Sequence, residues 1–166
     1  MRERAKLGMA LFLLSEAVFF FMLIAAFVYF RDVRTTSENL RLGTSAFYTA
    51  CLLVSSFTMW RAVATESRTW LFATIALGGV FLFGQASEYL RLFQQNITIS
   101  QGLFGTTFFT LTGLHGLHVL AGILLLAATL AMSARPITVG TVALYWYFVD
   151  AVGMAIFSVV YLWTFL

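Results

Sequence analysis

The chain has 166 residues, of which 61% are hydrophobic and only 10% charged, with a formal net charge of +3 and a mean hydropathy of +0.91. A soluble domain usually carries about 25% charged residues, so this composition excludes a water-soluble globular protein and predicts an all-α, polytopic membrane helix bundle forming one domain over residues 1–166. The basic residues are scattered among loops rather than gathered in one groove, which excludes nucleic acid as a partner; an isoelectric point near 9.4 suits an anionic inner leaflet instead.

Five transmembrane spans are predicted where apolar runs lie between clusters of charges and turn formers, each near or above the ~20 residues that cross a hydrocarbon core. The first covers 7–30, between Arg2, Arg4 and Lys6 and the Arg31-Asp32-Val33-Arg34 run, and carries Glu16 near its middle. It is too long and too strongly flanked for a signal peptide and lacks a small-residue cleavage site. The second covers 42–60, closed by Arg61, and holds the lone cysteine, Cys51. One cysteine forms no internal disulfide framework and reads as a small apolar side chain. The third covers 70–90, before Arg91 and the polar Gln94-Gln95-Asn96 stretch, with Glu88 within a turn of its end and Gln85 on the same face. The fourth covers 102–132 and contains Gly113-Leu114-His115-Gly116-Leu117-His118. The fifth covers 137–166 and contains Asp150. Only Ser133-Ala134-Arg135-Pro136 separates the last two, which predicts antiparallel neighbours.

Orientation follows from lysine and arginine. With the N-terminus inside, Arg2, Arg4, Lys6, Arg61, Arg68 and Arg135 face inward, and Arg31, Arg34, Arg41 and Arg91 face outward. The inner side has the excess, which places the N-terminus in the cytoplasm and, after five spans, the C-terminus outside.

Polar residues within these spans carry the functional information, because lipid offers them no hydrogen bonds. His115 and His118 are three residues apart, so they share a helix face. A haem with two axial histidines takes one from each side of the ring, and no third histidine exists. A metal site would need Glu16, Glu88 or Asp150 to complete it, yet the Glu-x-x-His pattern of helical di-iron sites is absent. Two histidines and one cysteine cannot ligate haems plus copper. No phosphate-binding loop and no nucleophile–base pair occurs either. No catalytic, cofactor or metal site is therefore expected in this chain. Glu16, Glu88, His115, His118 and Asp150 remain as polar intramembrane candidates, either converging in one seam or acting as separate staples. Gly105, Gly113, Gly116 and Gly122 in the fourth span, with Gly78, Gly79 and Gly84 in the third, predict close helix contacts. Trp60, Trp70, Tyr89, Tyr145, Trp146, Tyr161 and Trp163 read as interfacial anchors. A small transporter or channel, with Glu16 and the histidines as a proton path, is the alternative class.

Several motifs carry a resemblance to a known family. Gln85-Ala86-Ser87-Glu88-Tyr89, Gly105-Thr106-Thr107-Phe108-Phe109 and Thr112-Gly113-Leu114-His115-Gly116-Leu117-His118-Val119 resemble the signature run of subunit III of haem–copper terminal oxidases. So do Tyr145-Trp146-Tyr147-Phe148-Val149-Asp150 and Val159-Val160-Tyr161-Leu162-Trp163. Lys6 to Met9 and Ser15 to Phe20 resemble the family's third helix, with its membrane-buried glutamate at Glu16. Longer members have seven helices, so the resemblance is to the five-helix bacterial form; Tyr147 stands where the family often has His.

The resemblance implies a non-catalytic accessory subunit of a cytochrome c or quinol oxidase in aerobic respiration. The whole complex reduces oxygen to water and pumps protons, and haem and copper reside in partner subunits. The implied partners are catalytic subunit I, the other oxidase subunits, a respiratory supercomplex and membrane phospholipid, in a bacterial inner membrane. The implied roles are stabilising subunit I, supporting proton uptake, binding lipid and giving oxygen access. An accessory subunit of a nitric oxide reductase is the alternative within the family.

Overall fold

The computed structural model describes residues 2–30, 41–99, 102–132 and 136–163, and the described residues are helical with short turns. Helix α1 is Arg2–Phe30, α2 is Leu42–Thr65, α3 is Arg68–Gln94, α4 is Leu103–Ala131, and α5 is Pro136–Phe157, which runs directly into a π-helical turn at Ser158–Leu162. All five are long and apolar enough to cross a membrane, so the expected five-helix bundle is the observed one. Arg31, Arg34, Ser133, Ala134, Arg135 and the last three residues of the fifth predicted span lie outside the described residues.

Several helix ends differ from the sequence expectation, beginning with α1, which starts at Arg2 rather than at residue 7. Helix α2 continues past Arg61 to Thr65, and α3 takes in both Arg68 and Arg91. Arginine is a good helix former, so a charge marks where a helix leaves hydrocarbon and not where it stops. The actual stops are backbone events. Glu66 turns left-handed at φ 50° to end α2. After α3, Asn96 takes φ 59°, and the N–H groups of Ile97 and Asn96 donate to the carbonyls of Leu92 and Phe93 at 3.0 Å each. That is a Schellman cap, and Ile97 packs into the same apolar cluster as Leu92.

Helices α2, α3, α4 and α5 close a ring in which each packs on the next, and α1 lies outside it in the groove between α4 and α5. Thr58 meets Thr74 while Tyr48 meets Gly84, and Gln85 meets Thr112 while Ile123 meets Gly78, so α2 and α3, and α3 and α4, are antiparallel. The contacts His118–Tyr145 and His115–Gly153 do the same for α4 and α5, as the short connection requires. The buried face of α2 carries Thr49, Ser55 and Thr58 beside Leu52 and Met59. Small and polar residues face inward because lipid tails are as apolar as leucine, so packing and hydrogen bonds select the interior rather than hydrophobicity. By the same logic Leu7, Leu11, Leu14, Phe21 and Met22 of α1 face outward.

The core has two apolar clusters stacked along the bundle. One contains Phe20, Phe27, Leu92, Phe108, Phe109, Ile156 and Val160. The other contains Leu52, Met59, Leu71, Val119, Leu126, Trp146 and Val149. Between them, in chain position, fall Glu16 on α1, Gln85 on α3, His115 and His118 on α4, and Asp150 on α5. A polar layer therefore crosses the bundle near mid-span.

Candidate functional site

The five polar candidates share a level but do not form one network. Glu16 and His118 pair across α1 and α4, with Oε2 3.2 Å from Nε2. The ring's Nδ1 lies 2.8 Å from the carbonyl oxygen of Leu114, one turn back on its own helix. A carbonyl only accepts, so Nδ1 carries a hydrogen. A single proton then sits between Nε2 and the carboxyl group: either a neutral acid donates to a neutral imidazole, or an imidazolium donates to a carboxylate. Both arrangements are neutral overall, which is what a site at this depth requires.

Asp150 accepts from the hydroxyl of Ser56, which joins α5 to α2, and its Oδ1 has no protein partner. Next to it, the indole N–H of Trp146 donates to Ser55 Oγ at 3.0 Å. Glu88 is held by Arg91 within α3 through a two-pronged contact, in which Arg91 Nη2 donates to Oε1 and Nε donates to Oε2 at 3.2 Å. A guanidinium one turn away offers two parallel N–H groups to the carboxylate.

His115 is the exception. It is 3% exposed, and neither ring nitrogen has a hydrogen-bond partner. Phe20 and Phe81 meet its ring edge-to-face, with centroids 6.4 and 5.6 Å away. Gly153 faces the imidazole closely, and a Cβ built there would lie 3.0 Å from Nε2. So the two histidines of one helix face have different surroundings: His118 looks toward α1 and His115 toward α5.

Most of the expected glycine contacts are present. A Cβ on Gly78 would stand 2.7 Å from Trp146, one on Gly122 2.9 Å from the same ring, and one on Gly116 2.7 Å from Gln85 Oε1. Gly79 faces open space instead, on the outer side of α3. Several aromatics assigned to the membrane interface are interior residues. Trp146 is 1% exposed, and Tyr145 and Tyr161 are buried. Tyr89 bonds Thr112 Oγ1 at 2.6 Å and receives a hydrogen bond from Gln85 Nε2 at 3.1 Å. Trp60 and Trp163 are exposed as an anchor should be, and Trp70 lies under the Arg61 guanidinium at 5.5 Å. Cys51 is free and half-buried.

Ser55, Ser56 and Gly153 carry no signal in the sequence, and Thr112 stands out there only as part of the run 112–119. Serine and threonine are common in membrane helices and satisfy themselves on the preceding turn, as Thr112 Oγ1 does on Phe108 O at 2.7 Å. Nothing in a lone residue of this kind announces a partner on another helix.

Among the described residues, no group of three or more His, Cys, Asp or Glu side chains is placed to hold a metal ion. Nor do the residues fit a haem, because His115 and His118 project from one helix. The fold and the polar layer thus define a polytopic helical membrane subunit whose interhelical polar pairs hold it together.

The comparisons with known proteins then place it. A sequence model of the family described as cytochrome c oxidase subunit III matches residues 48–165. Cytochrome c oxidase subunit 3 of Thermostichus vulcanus is 33% identical over 177 residues, covering 95% of this chain and 87% of the relative. The subunit 3 proteins of Synechocystis sp. and of Rhipicephalus sanguineus are also 33% identical, over 93% and 95% of this chain and 74% and 70% of their own lengths. The chain belongs to the cytochrome c oxidase subunit III family. Its role is that of a non-catalytic accessory subunit of a haem–copper oxidase, and the match lends nothing to the nitric oxide reductase or transporter alternatives.

Proposed function

We propose that this chain acts as one unit over residues 1–166, sits beside catalytic subunit I in a bacterial cytoplasmic membrane, and stabilises that subunit while supporting its proton uptake. The observation that carries this reading is the family match, which runs from α2 to the end of α5 and so includes four of the five polar candidates. The partners are subunit I, the remaining oxidase subunits and, beyond them, a respiratory supercomplex. Phospholipid covers the apolar outer face, to which α1 contributes Leu7, Leu11, Phe21 and Met22. Haem and copper belong to the partner subunits, where oxygen is reduced.

Within that reading, the roles of the five candidates are structural. Glu16–His118 ties α1 to the four-helix ring, Asp150–Ser56 ties α5 to α2, and Glu88 is neutralised by Arg91. His115 lines an interior cavity. The N-terminus lies in the cytoplasm and the C-terminus outside, as the lysine and arginine excess supports.

The test is extraction of the membranes in a mild detergent, purification through a tag on this chain, and mass spectrometry with a haem spectrum of the co-purifying material. A haem-bearing polytopic subunit recovered at equal stoichiometry is the expected result. Recovery of this chain alone, with transport activity in liposomes, would overturn the reading.

A further inference from the structure

Arg61 and Trp70 face each other across the α2–α3 hairpin, the first about one turn before the end of α2 and the second in the first turn of α3. The guanidinium carbon lies 5.5 Å from the centroid of the indole, within reach of a cation–π contact. Both side chains are half-buried, so the cation is held at the rim of the bundle instead of sweeping through water. Such a contact uses the charge and leaves the N–H groups to be satisfied elsewhere.

Those donors have no acceptor in the protein. A guanidinium carries five N–H groups and an indole one, and neither accepts. Among the described residues, neither the Arg61 guanidinium nor the Trp70 indole N–H has a hydrogen-bond acceptor. Glu66, the acid nearest to Arg61 in sequence, makes no ion pair with it. Arg68 adds a second positive charge at the same turn. Further into the span, α2 presents an apolar strip. Val54, Phe57 and Arg61 recur at spacings of three and four residues and so share one side of the helix. Val54 is 52% and Phe57 55% exposed, and Phe57 meets the exposed Trp60 at 5.7 Å.

The chemistry of the ligand follows from this arrangement. It must accept hydrogen bonds, carry negative charge, and continue into an apolar chain at the depth of Phe57 and Val54. A free anion meets the first two demands and leaves the strip bare. A zwitterionic lipid brings its own ammonium beside the guanidinium. An anionic phospholipid meets all three: its phosphate oxygens match the guanidinium fork, and its acyl chain covers the strip. The depth agrees, because α2 is long and apolar enough to span, and aromatic residues near the end of a span sit at the level of the headgroups.

We propose that Arg61 and Trp70 form a headgroup site for one anionic phospholipid, whose phosphate takes their free N–H groups and whose acyl chain lies along Val54 and Phe57. The site belongs to the α2–α3 hairpin, on helices other than the α1 face described above. It rests on the bundle spanning a membrane and is independent of which complex the chain joins.

Native mass spectrometry tests it on the full chain, purified from membranes in its native assembly, washed free of lipid with detergent and titrated with phosphatidylglycerol or phosphatidylethanolamine. Arg61→Gln should weaken one phosphatidylglycerol site by about tenfold or more, the loss expected for hydrogen bonds to a charged group. Trp70→Phe keeps a ring for the guanidinium and removes only the N–H, and it should weaken the same site several-fold. Arg41→Gln, at the opposite end of α2, should leave phosphatidylglycerol binding unchanged. Phosphatidylethanolamine should bind the site less tightly, and inorganic phosphate should not displace the lipid. Unchanged phosphatidylglycerol binding in both Arg61→Gln and Trp70→Phe would overturn the proposal, as would equal affinity for the two lipids. Displacement by inorganic phosphate would make it a site for a free anion, and a map of the assembly with a neighbouring subunit's carboxylate on Arg61 would make it a protein contact; either result overturns the lipid assignment.

Discussion

Glu16 and His118 meet at 3.2 Å across α1 and α4, and the far nitrogen of the same imidazole is held by the Leu114 carbonyl. The second contact fixes the tautomer, so the pair needs one proton and carries no net charge. Helix α1 lies outside the ring of the other four. Among the described residues, this pair is a polar tie between α1 and that ring.

The first prediction concerns that tie. Glu16→Gln offers an N–H to Nε2 and keeps the shape, so oxygen consumption and subunit retention should stay near wild type. Glu16→Ala leaves the imidazole without its partner, at a cost of about 1–3 kcal/mol for an unsatisfied buried group. It should raise the fraction of this subunit lost in a detergent wash, read by quantitative immunoblot. Loss of oxygen reduction in Glu16→Gln, with the complex intact, would assign the carboxyl to proton chemistry instead.

A pair of adjacent glycines separates packing from propensity. A Cβ on Gly78 would lie 2.7 Å from the Trp146 ring, which is itself pinned by Ser55, whereas Gly79 has open space. Gly78→Ala should therefore destabilise the bundle by about 1–3 kcal/mol through overpacking. Gly79→Ala should be neutral or stabilising by up to about 1 kcal/mol through helix propensity. The midpoint of heat-induced aggregation, followed by size-exclusion chromatography, distinguishes them; equal effects would contradict the packing.

Five helices were legible from the sequence because lipid demands long, continuous apolar segments with their backbone bonds satisfied internally. Their ends are less so: Arg61 and Arg91 read as borders in the sequence, yet both lie inside helices. Glu16, Glu88, His115, His118 and Asp150 stood out because a polar group in lipid is expensive, but expense does not name a partner. Helical spacing places the two histidines on one face and cannot tell that Glu16 of α1 partners His118 while Gly153 of α5 packs on His115. Trp146 and Tyr145 were misassigned because an indole or phenol looks the same in sequence whether its polar end meets a headgroup or Ser55 and the His118 carbonyl.

The contact between Ser56 and Asp150 lends itself to a double-mutant cycle. Ser56→Ala leaves a buried carboxyl oxygen without its donor, and Asp150→Leu leaves the hydroxyl without its acceptor. Removing both partners is often milder than removing one. The double variant should be more stable than the sum of the singles, with a coupling near the about 0.6 kcal/mol average measured for membrane helix pairs. A coupling of zero would show that the two residues do not interact in the membrane.

Topology gives a prediction independent of any contact. Reporter fusions at Met1 and Leu166 should place the first in the cytoplasm and the second outside, because five spans carry the chain across an odd number of times. Both reporters on the same side would mean that one of the five helices does not span.

The two histidines should differ when replaced singly, although they are one turn apart on one helix. His118→Leu removes the partner of Glu16 and leaves a carboxyl in lipid with nothing to neutralise it, so it should weaken subunit retention or thermal stability by an amount comparable to Glu16→Ala. His115→Leu breaks no hydrogen bond within the protein. It places an apolar side chain between Phe20 and Phe81, which already meet the ring by their edges, and it should be the milder change. Neither should alter the haem absorption spectrum of the catalytic subunit, since no third ligand stands with either imidazole among the described residues. The measurement is retention and thermal midpoint for both variants in the purified complex, with spectra recorded on the same samples. If His115→Leu is the more damaging of the two, its nitrogens have a protein partner that this arrangement does not provide; if either variant shifts the haem spectrum, the histidines act on the cofactor rather than on the helix contacts.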